Sequence, residues 1–420
     1  MFRGVFYIVN IDCTINVMSY GRYLTAREAA EALRVTRATL YAYASRGQLR
    51  SEPVPGLPRE RRYYREDIER LRDRKESRRD PSKAAARALH WGSPVLASGI
   101  TVIQDGRLYY RGQDALKLAQ NASLEEAAAT LWAAEAHESQ RLFTQRCVLS
   151  HSELTKLRRC APAPVVLFQA ALPIAGTVDA ASYDLRPAAV RYAGARILRL
   201  LTAAVVGRDS NLPVHEALRN AWAAEDTAAE AIRRALVLCA DHELNVSTFA
   251  ARCAASAAAS PYDAVSAALA TLKGIRHGGL SERVCRLFEE IERPERARAV
   301  VAERLRRGES VPGFGHRLYP AGDPRATLLL RVAEASGNEK EWKMVRALSR
   351  AGSELLQEAP NLDFGLTAVA RTYRLPRNAP FILFALGRTV GWIAHAIEQY
   401  SSGDLIRPRA HYTGPAPQSF

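Results

Sequence analysis

From about Leu96 onward the chain runs as Ala-, Leu- and Val-rich segments whose apolar residues recur every three or four positions, broken by Pro or Gly. That period belongs to α-helices, not to strands, whose alternation is two. It predicts helices over Leu124–His137, Ala188–Val206, Asp226–Cys239, Tyr262–Leu272, Ala326–Ser336, Trp342–Glu358 and Phe381–Tyr400. One small hairpin precedes them, with Thr101–Ile103 and Leu108–Tyr110 alternating around Asp105-Gly106. A mostly α fold over residues 96–420 follows.

No run reaches the roughly 18 apolar residues needed to cross a bilayer, so no membrane partner is expected. The opening MFRGVFYIVNIDC lacks a small-residue cleavage pattern and is not read as a signal peptide. Residues 1–17 read as an unstructured extension or a mis-assigned start, with Met18 the more natural opening. The 6 cysteines are scattered without C-x-x-C spacing, which points to free thiols in a reducing cytoplasm.

Residues 18–80 form a separate block, joined to the helical part by an Arg- and Ala-rich linker over 81–95. Thr25-Ala26-Arg27-Glu28 is a capping-box pattern that opens a helix through Leu33. Arg34 and Val35 make a turn, and a second helix runs from Thr36 to Ser45 and ends at Gly47. Pro53–Arg62 suits a hairpin wing, and Tyr64–Arg79 a basic helix. The block resembles the winged helix-turn-helix of MerR and excisionase-type proteins. On that likeness Arg37, Thr39 and Tyr43 face DNA bases or phosphates, and Arg59, Arg61 and Arg62 the backbone. The chain carries 59 basic against 44 acidic side chains, a net +15 that suits an anionic partner such as DNA. An oligomerisation arm or regulatory cap is the competing reading.

Chemistry concentrates in VPGFGHRLYPAGDPRA, Val311–Ala326. Gly313 and Gly315 let backbone approach a ligand. His316 can polarise a carbonyl, and Arg325 can grip a carboxylate with two parallel hydrogen bonds. Further pieces follow the same order: ADHELNVSTFAARC with His242, LKGIRHGGLSERV with His277, NLDFG with Asp363, FALGRTVGWIAHAIEQ with Arg388, and IRPRAHYTGP with Arg407. Taken alone, His242 reads as a structural or helix-terminal His and Asp363 as an N-cap. Arg388 lies in so apolar a helix that it needs an anionic partner. His395 reads as a packed helix residue with no catalytic role.

Together the six pieces resemble the citrate synthase family, over about three quarters of the chain. The resemblance implies a large helical domain plus a small helical lobe at about residues 280–380, closing over its substrates. It makes Asp363 the base that deprotonates acetyl-CoA, His277 the donor to the thioester oxygen and His316 the donor to the keto oxygen of oxaloacetate. His242, Arg325 and Arg388 would hold oxaloacetate, with Arg407 supplied by the neighbouring subunit of a homodimer. Gly313, Phe314 and Gly315 would face CoA. The resemblance requires no metal and no cofactor, acetyl-CoA being a substrate.

Two departures stand out. Leu280-Ser281 replaces the family's usual Ala-Asn, which suggests altered packing more than altered chemistry. The family's basic residues before the NxD motif are missing from Leu355–Ala359, leaving Arg304, Arg306 and Arg307 as candidate CoA-phosphate ligands. The alternatives are a 2-methylcitrate synthase using propionyl-CoA, or a transcriptional regulator whose synthase-derived domain senses metabolites.

Overall fold

A computed structural model describes residues 23–54, 57–65, 67–69, 71–72, 96–410 and 412–415. The extension over 1–17, the start at Met18, Cys13, the linker over 81–95 and the side chain of Arg59 lie outside them. The chain divides into two compact units, Met1–Ala97 and Ser98–Phe420.

In the first unit β1 (Tyr23–Thr25) leads into α1 (Ala26–Leu33) and α2 (Arg37–Ser45), and β2 (Ser51–Val54) and β3 (Leu57–Tyr64) form the wing. The sheet order is β1-β3-β2, antiparallel throughout. Thr25 and Glu28 complete the expected capping box, and Arg34 makes the turn at φ 50°. Residues 65, 67–69 and 71–72 are helical. Leu24, Ala29, Leu33, Leu40, Leu49, Tyr63 and Ile68 close a small core. Asp67 pins the start of the wing by accepting from Arg50 N (2.8 Å), Nε (2.9 Å) and Nη2 (2.9 Å).

The second unit opens with the antiparallel sheet β4 (Thr101–Gln104), β5 (Arg107–Tyr110) and β6 (Gln113–Asp114). Helices follow: α3 (Ala115–Asn121), α4 (Leu124–Leu131), α5 (Ala136–Leu142), α6 (His151–Cys160), α7 (Pro164–Val178) and α8 (Pro187–Val206). Next come α9 (Val214–Ala221), α10 (Asp226–Cys239), α11 (Val246–Ser256), α12 (Pro261–Leu272) and α13 (Leu280–Ile291). The last are α14 (Ala297–Arg306), α15 (Pro324–Glu334), α16 (Glu339–Leu356), α17 (Leu362–Thr372) and α18 (Ala379–Ser402). The fold is mostly α, as the periodicity predicts.

The stretch expected as one helix over Leu124–His137 is two. Trp132 is buried, stacks on Phe143 and donates its Nε1 to the Val390 carbonyl at 2.8 Å. The chain breaks there, with Ala133 at φ 51°, so that the indole reaches α18. No Gly or Pro marks this break.

The core is organised around α18, which packs against α4, α8, α10, α11, α12, α13 and α17. By length and composition α18 passes for a membrane span, contrary to the sequence expectation, but 94% of its most apolar window is buried inside the protein. Gly387 and Gly391 face the backbone at Leu236 and Ala240, so α18 lies directly on the end of α10. That close approach places Arg388 and His395 beside Asp241 and His242. The β4–β5 hairpin braces the same segment: Ile103 N donates to Glu243 Oε1 (2.8 Å) and Tyr110 OH to the Val237 carbonyl (3.1 Å).

Candidate active site

The Gly-rich loop is stitched to the NLDFG segment by backbone. Gly315 N donates to the Ala359 carbonyl and Asn361 N to the Gly313 carbonyl, both at 2.9 Å. Gly313 has φ 95°, a conformation strained for any other residue, and a side chain there would press on Val284 and Phe364. Phe314 lies between these two glycines. Its ring is buried, edge-on to Phe364 (5.2 Å) and lying over Gly352 of α16, so it anchors the loop from below.

His316 sits next to His242 (ring centroids 5.1 Å) and Tyr319 (4.9 Å), and Tyr319 OH pairs with His242 Nε2 at 3.0 Å. Leu318 N donates to His316 Nδ1 at 3.2 Å. That bond requires an unprotonated Nδ1, so the neutral ring carries its proton on Nε2 and can donate there. Burial, with Arg325 nearby, holds His316 down to about 4. Burial takes His277 down to about 3 and His242 well below its usual value. All three rings are therefore neutral donors or acceptors near pH 7.

His277, in the turn before α13, meets Ser247 Oγ through Nε2 at 2.8 Å. Ser247 also receives Trp392 Nε1 (3.2 Å) and lies 2.7 Å from Asn245 Oδ1. Because the Ser247 hydroxyl donates its one proton to Asn245 Oδ1, Ser247 accepts from both Trp392 Nε1 and His277 Nε2 in this arrangement.

The two arginines of the apolar interior are held differently. Arg325 is buried in a fork with Asp323, Nε to Oδ1 at 2.9 Å and Nη2 to Oδ2 at 2.8 Å. Asp323 also caps α15 and accepts Leu362 N at 3.1 Å. Arg388 is 1% exposed and donates Nε to the Cys239 carbonyl at 2.8 Å. Its Nη2 is buried with no protein partner among the described residues. A buried guanidinium nitrogen left unpaired is costly unless an anion completes it.

Asp363 stands in the first turn of α17, whose N-cap is Asn361, so the N-cap role goes to its neighbour. Burial pushes the Asp363 carboxyl up to about 6, against the pull of the Ser281 hydroxyl and Arg325. Ser281 Oγ donates directly to Asp363 Oδ1. Position 281 thus touches the carboxylate, where the sequence suggested altered packing more than altered chemistry. His395 is packed as expected, its Nε2 3.3 Å from Asp241 Oδ2.

Three sets of residues sit apart from this cluster or differ from expectation. Arg407, on the segment after α18, is exposed and forms no hydrogen bond or ion pair among the described residues. Arg304 pairs with Glu290, Arg306 with Glu303 and Arg307 with Glu309, so the three candidate phosphate ligands are already neutralised. In the first unit Arg37 is exposed, but Thr39 bonds back to Thr36 and Tyr43 packs against the small core. The aromatic on the exposed face of α2 is Tyr41, at 50% exposure. Arg61 holds Ser51 (2.9 Å), and Arg62 pairs with Glu52 while stacking on Tyr23 (3.9 Å).

Tyr319, Asp323, Ser247 and Ser281 belong to the cluster without having been singled out as site residues. Asp323-Pro-Arg carries a readable signal, an N-cap acid before a Pro at the first helical position. Tyr319 carries none.

A family model described as "Citrate synthase, C-terminal domain" matches residues 88–409, and a helix-turn-helix domain model matches 23–76. "Citrate synthase 2" of Bacillus subtilis is 31% identical over 78% of this chain and 96% of its own length. A Mycobacterium tuberculosis "2-methylcitrate synthase" is 32% identical over 74% of this chain and 86% of its own. The citrate synthase of Thermotoga maritima superposes with TM-score 0.67 at 28% identity, covering 80% of this chain and 97% of that one. The Thermoplasma acidophilum enzyme, solved as a ternary complex with carboxymethyl coenzyme A and oxaloacetate, gives 0.67 at 26%, covering 78% and 96%. With its helical unit matched almost throughout, the chain belongs to the citrate synthase family.

Proposed function

We propose that the protein condenses acetyl-CoA with oxaloacetate and hydrolyses the product to citrate and CoA. The observation that carries this reading is the buried Nη2 of Arg388, without a partner among the described residues, beside neutral histidines and a carboxyl raised to about 6. Asp363 takes a proton from the acetyl methyl group while His277 stabilises the enolate oxygen. The carbon so activated attacks the keto carbon of oxaloacetate. His316 Nε2–H meets the oxygen on which charge develops, and Arg325 and Arg388 bind the carboxylates. Water then cleaves the thioester of citryl-CoA, and the thiol of CoA leaves. Exposed and without a partner among the described residues, Arg407 would complete the site of a second copy, making the active form a homodimer in the cytoplasm.

Thiol release from acetyl-CoA with oxaloacetate, wild type against Asp363→Asn, tests the reading. A thousandfold or greater loss in the variant is expected. No wild-type release with either acetyl- or propionyl-CoA would overturn it and leave the metabolite-sensor reading. Faster release with propionyl-CoA would assign the 2-methylcitrate reaction instead.

A second reading rests on the helix-turn-helix match and the exposed Arg37–Tyr41 face of α2: the first unit binds DNA. Salt-sensitive binding of the full chain to duplex DNA is its test.

A further inference from the structure

Ser281 is a buried hydroxyl with no packing reason to be polar. It lies in the first turn of α13, 1% exposed, four residues after His277. Its Oγ donates to Asp363 Oδ1. No other hydrogen bond to that carboxylate is present among the described residues; the Asp363 backbone carbonyl separately accepts Thr367 Oγ1 at 2.9 Å. One turn further on, Cys285 Sγ lies 3.9 Å from Thr367 Oγ1. Helices α13 and α17 are thus registered by two successive contacts, Ser281–Asp363 and Cys285–Thr367, each four residues from the next.

A carboxylate at the start of a helix can rotate about its terminal torsion, which is broad and roughly two-fold. One strong donor on Oδ1 removes that freedom and leaves Oδ2 as the oxygen that meets a proton. The same hydroxyl stabilises the ionised carboxylate against burial. Because Ser281 lies in the first turn of α13 and His277 in the turn leading into it, base and oxyanion donor are referenced to one continuous segment.

We infer that Ser281 is a positioning residue for the condensation, its hydroxyl orienting Asp363 so that Oδ2 accepts the proton of the acyl-CoA carbon acid. The inference rests on Asp363 being the base. It makes the Leu280-Ser281 pair a chemical feature of this chain's site.

The test compares wild type with Ser281→Ala, Ser281→Cys and Asp363→Asn, all as full-length protein. Melting curves identify any variant that fails to fold. Ser281→Ala should lose roughly tenfold in kcat with KM for acetyl-CoA changed less than twofold. The acid limb of its kcat–pH profile should move up by about half a pH unit or more. Ser281→Cys, nearly isosteric with a weaker donor, should fall between the two in both readouts. An unmoved acid limb in the Ala and Cys variants would overturn the inference, even with kcat lowered. If Ala does not fold, the limb of the Cys variant decides alone. Full activity of Asp363→Asn would instead overturn the base assignment, a result separable from either Ser281 outcome.

Discussion

Asp323 holds Arg325 through two parallel hydrogen bonds while its Oδ2 also accepts the backbone N–H of Leu362, the residue before Asp363. One carboxylate therefore fixes the cation proposed to bind oxaloacetate and the start of the helix bearing the proposed base. Asp323→Ala would strand a buried guanidinium, a change that costs about 3–5 kcal/mol in comparable pairs. Urea unfolding should register that loss, and KM for oxaloacetate should rise at least tenfold in whatever fraction stays folded. A wild-type midpoint would refute the assignment.

The pH dependence of turnover should show one acid limb near pH 6, set by Asp363. Below it kcat falls about tenfold per pH unit as the base becomes protonated. His277 and His316, held down to about 3 and 4, should add no limb near their ordinary value. A limb at 6.5 abolished by His277→Asn would contradict this.

Stability should respond to pH with two signs. His242, His277 and His316 have folded values below their unfolded ones, so their contribution is present above about 6.5 and lost as pH falls. At pH 5 the loss is about 2 kcal/mol each for His277 and His316. Asp363 works the other way: its raised value favours the folded state below about 3.8, and that advantage disappears as pH rises through about 6. Denaturant midpoints at pH 7.5 and 5 should fall with acid, with net proton uptake on unfolding. Proton release would reverse the argument.

Mixing Asp363→Asn with Arg407→Ala subunits after denaturation and refolding tests the shared site. If Arg407 acts across the dimer, each mixed pair keeps one intact site, and a random mixture recovers about a quarter of wild-type activity. If Arg407 acts within its own subunit, no mixture recovers any.

Arg37→Ala or Tyr41→Ala should weaken duplex DNA binding by the full chain, measured by fluorescence anisotropy between 50 and 200 mM salt. The Arg37 change should lower the slope of log K against log salt by about one. Tyr43→Phe, altering a side chain packed on the small core, should leave binding within twofold.

Much of this was legible in the sequence because it depends on local periodicity and on short motifs. Helices α10 and α12 fall within a residue of their predicted limits, since their apolar spacing is regular and, in α12, a Ser260–Asp263 capping box marks the start. The break after Leu131 was not legible, because it serves an indole that bonds to a helix some 250 residues away. On α2 the likeness to winged helix-turn-helix proteins turns Thr39 and Tyr43 toward DNA, whereas Tyr41 is the exposed aromatic of the helix. Among the site residues, His316, Arg325 and Arg388 are legible from their chemistry, whereas His242, His277 and Asp363 rest on the resemblance. The roles of Asp323 and Ser281 were not legible, because both act through another side chain.

Phe314 rests on Gly352, and the loop it carries is laced to the segment leading into Asp363. A hydrogen atom at position 352, on a helix well outside the chemistry, is what lets that ring lie flat. Adding a single methyl group there would lift the ring, and with it the backbone that His316 depends on. For anyone scanning variants of this protein, a conservative-looking change on α16 belongs with the active-site mutations: the machinery extends to wherever the loop is propped.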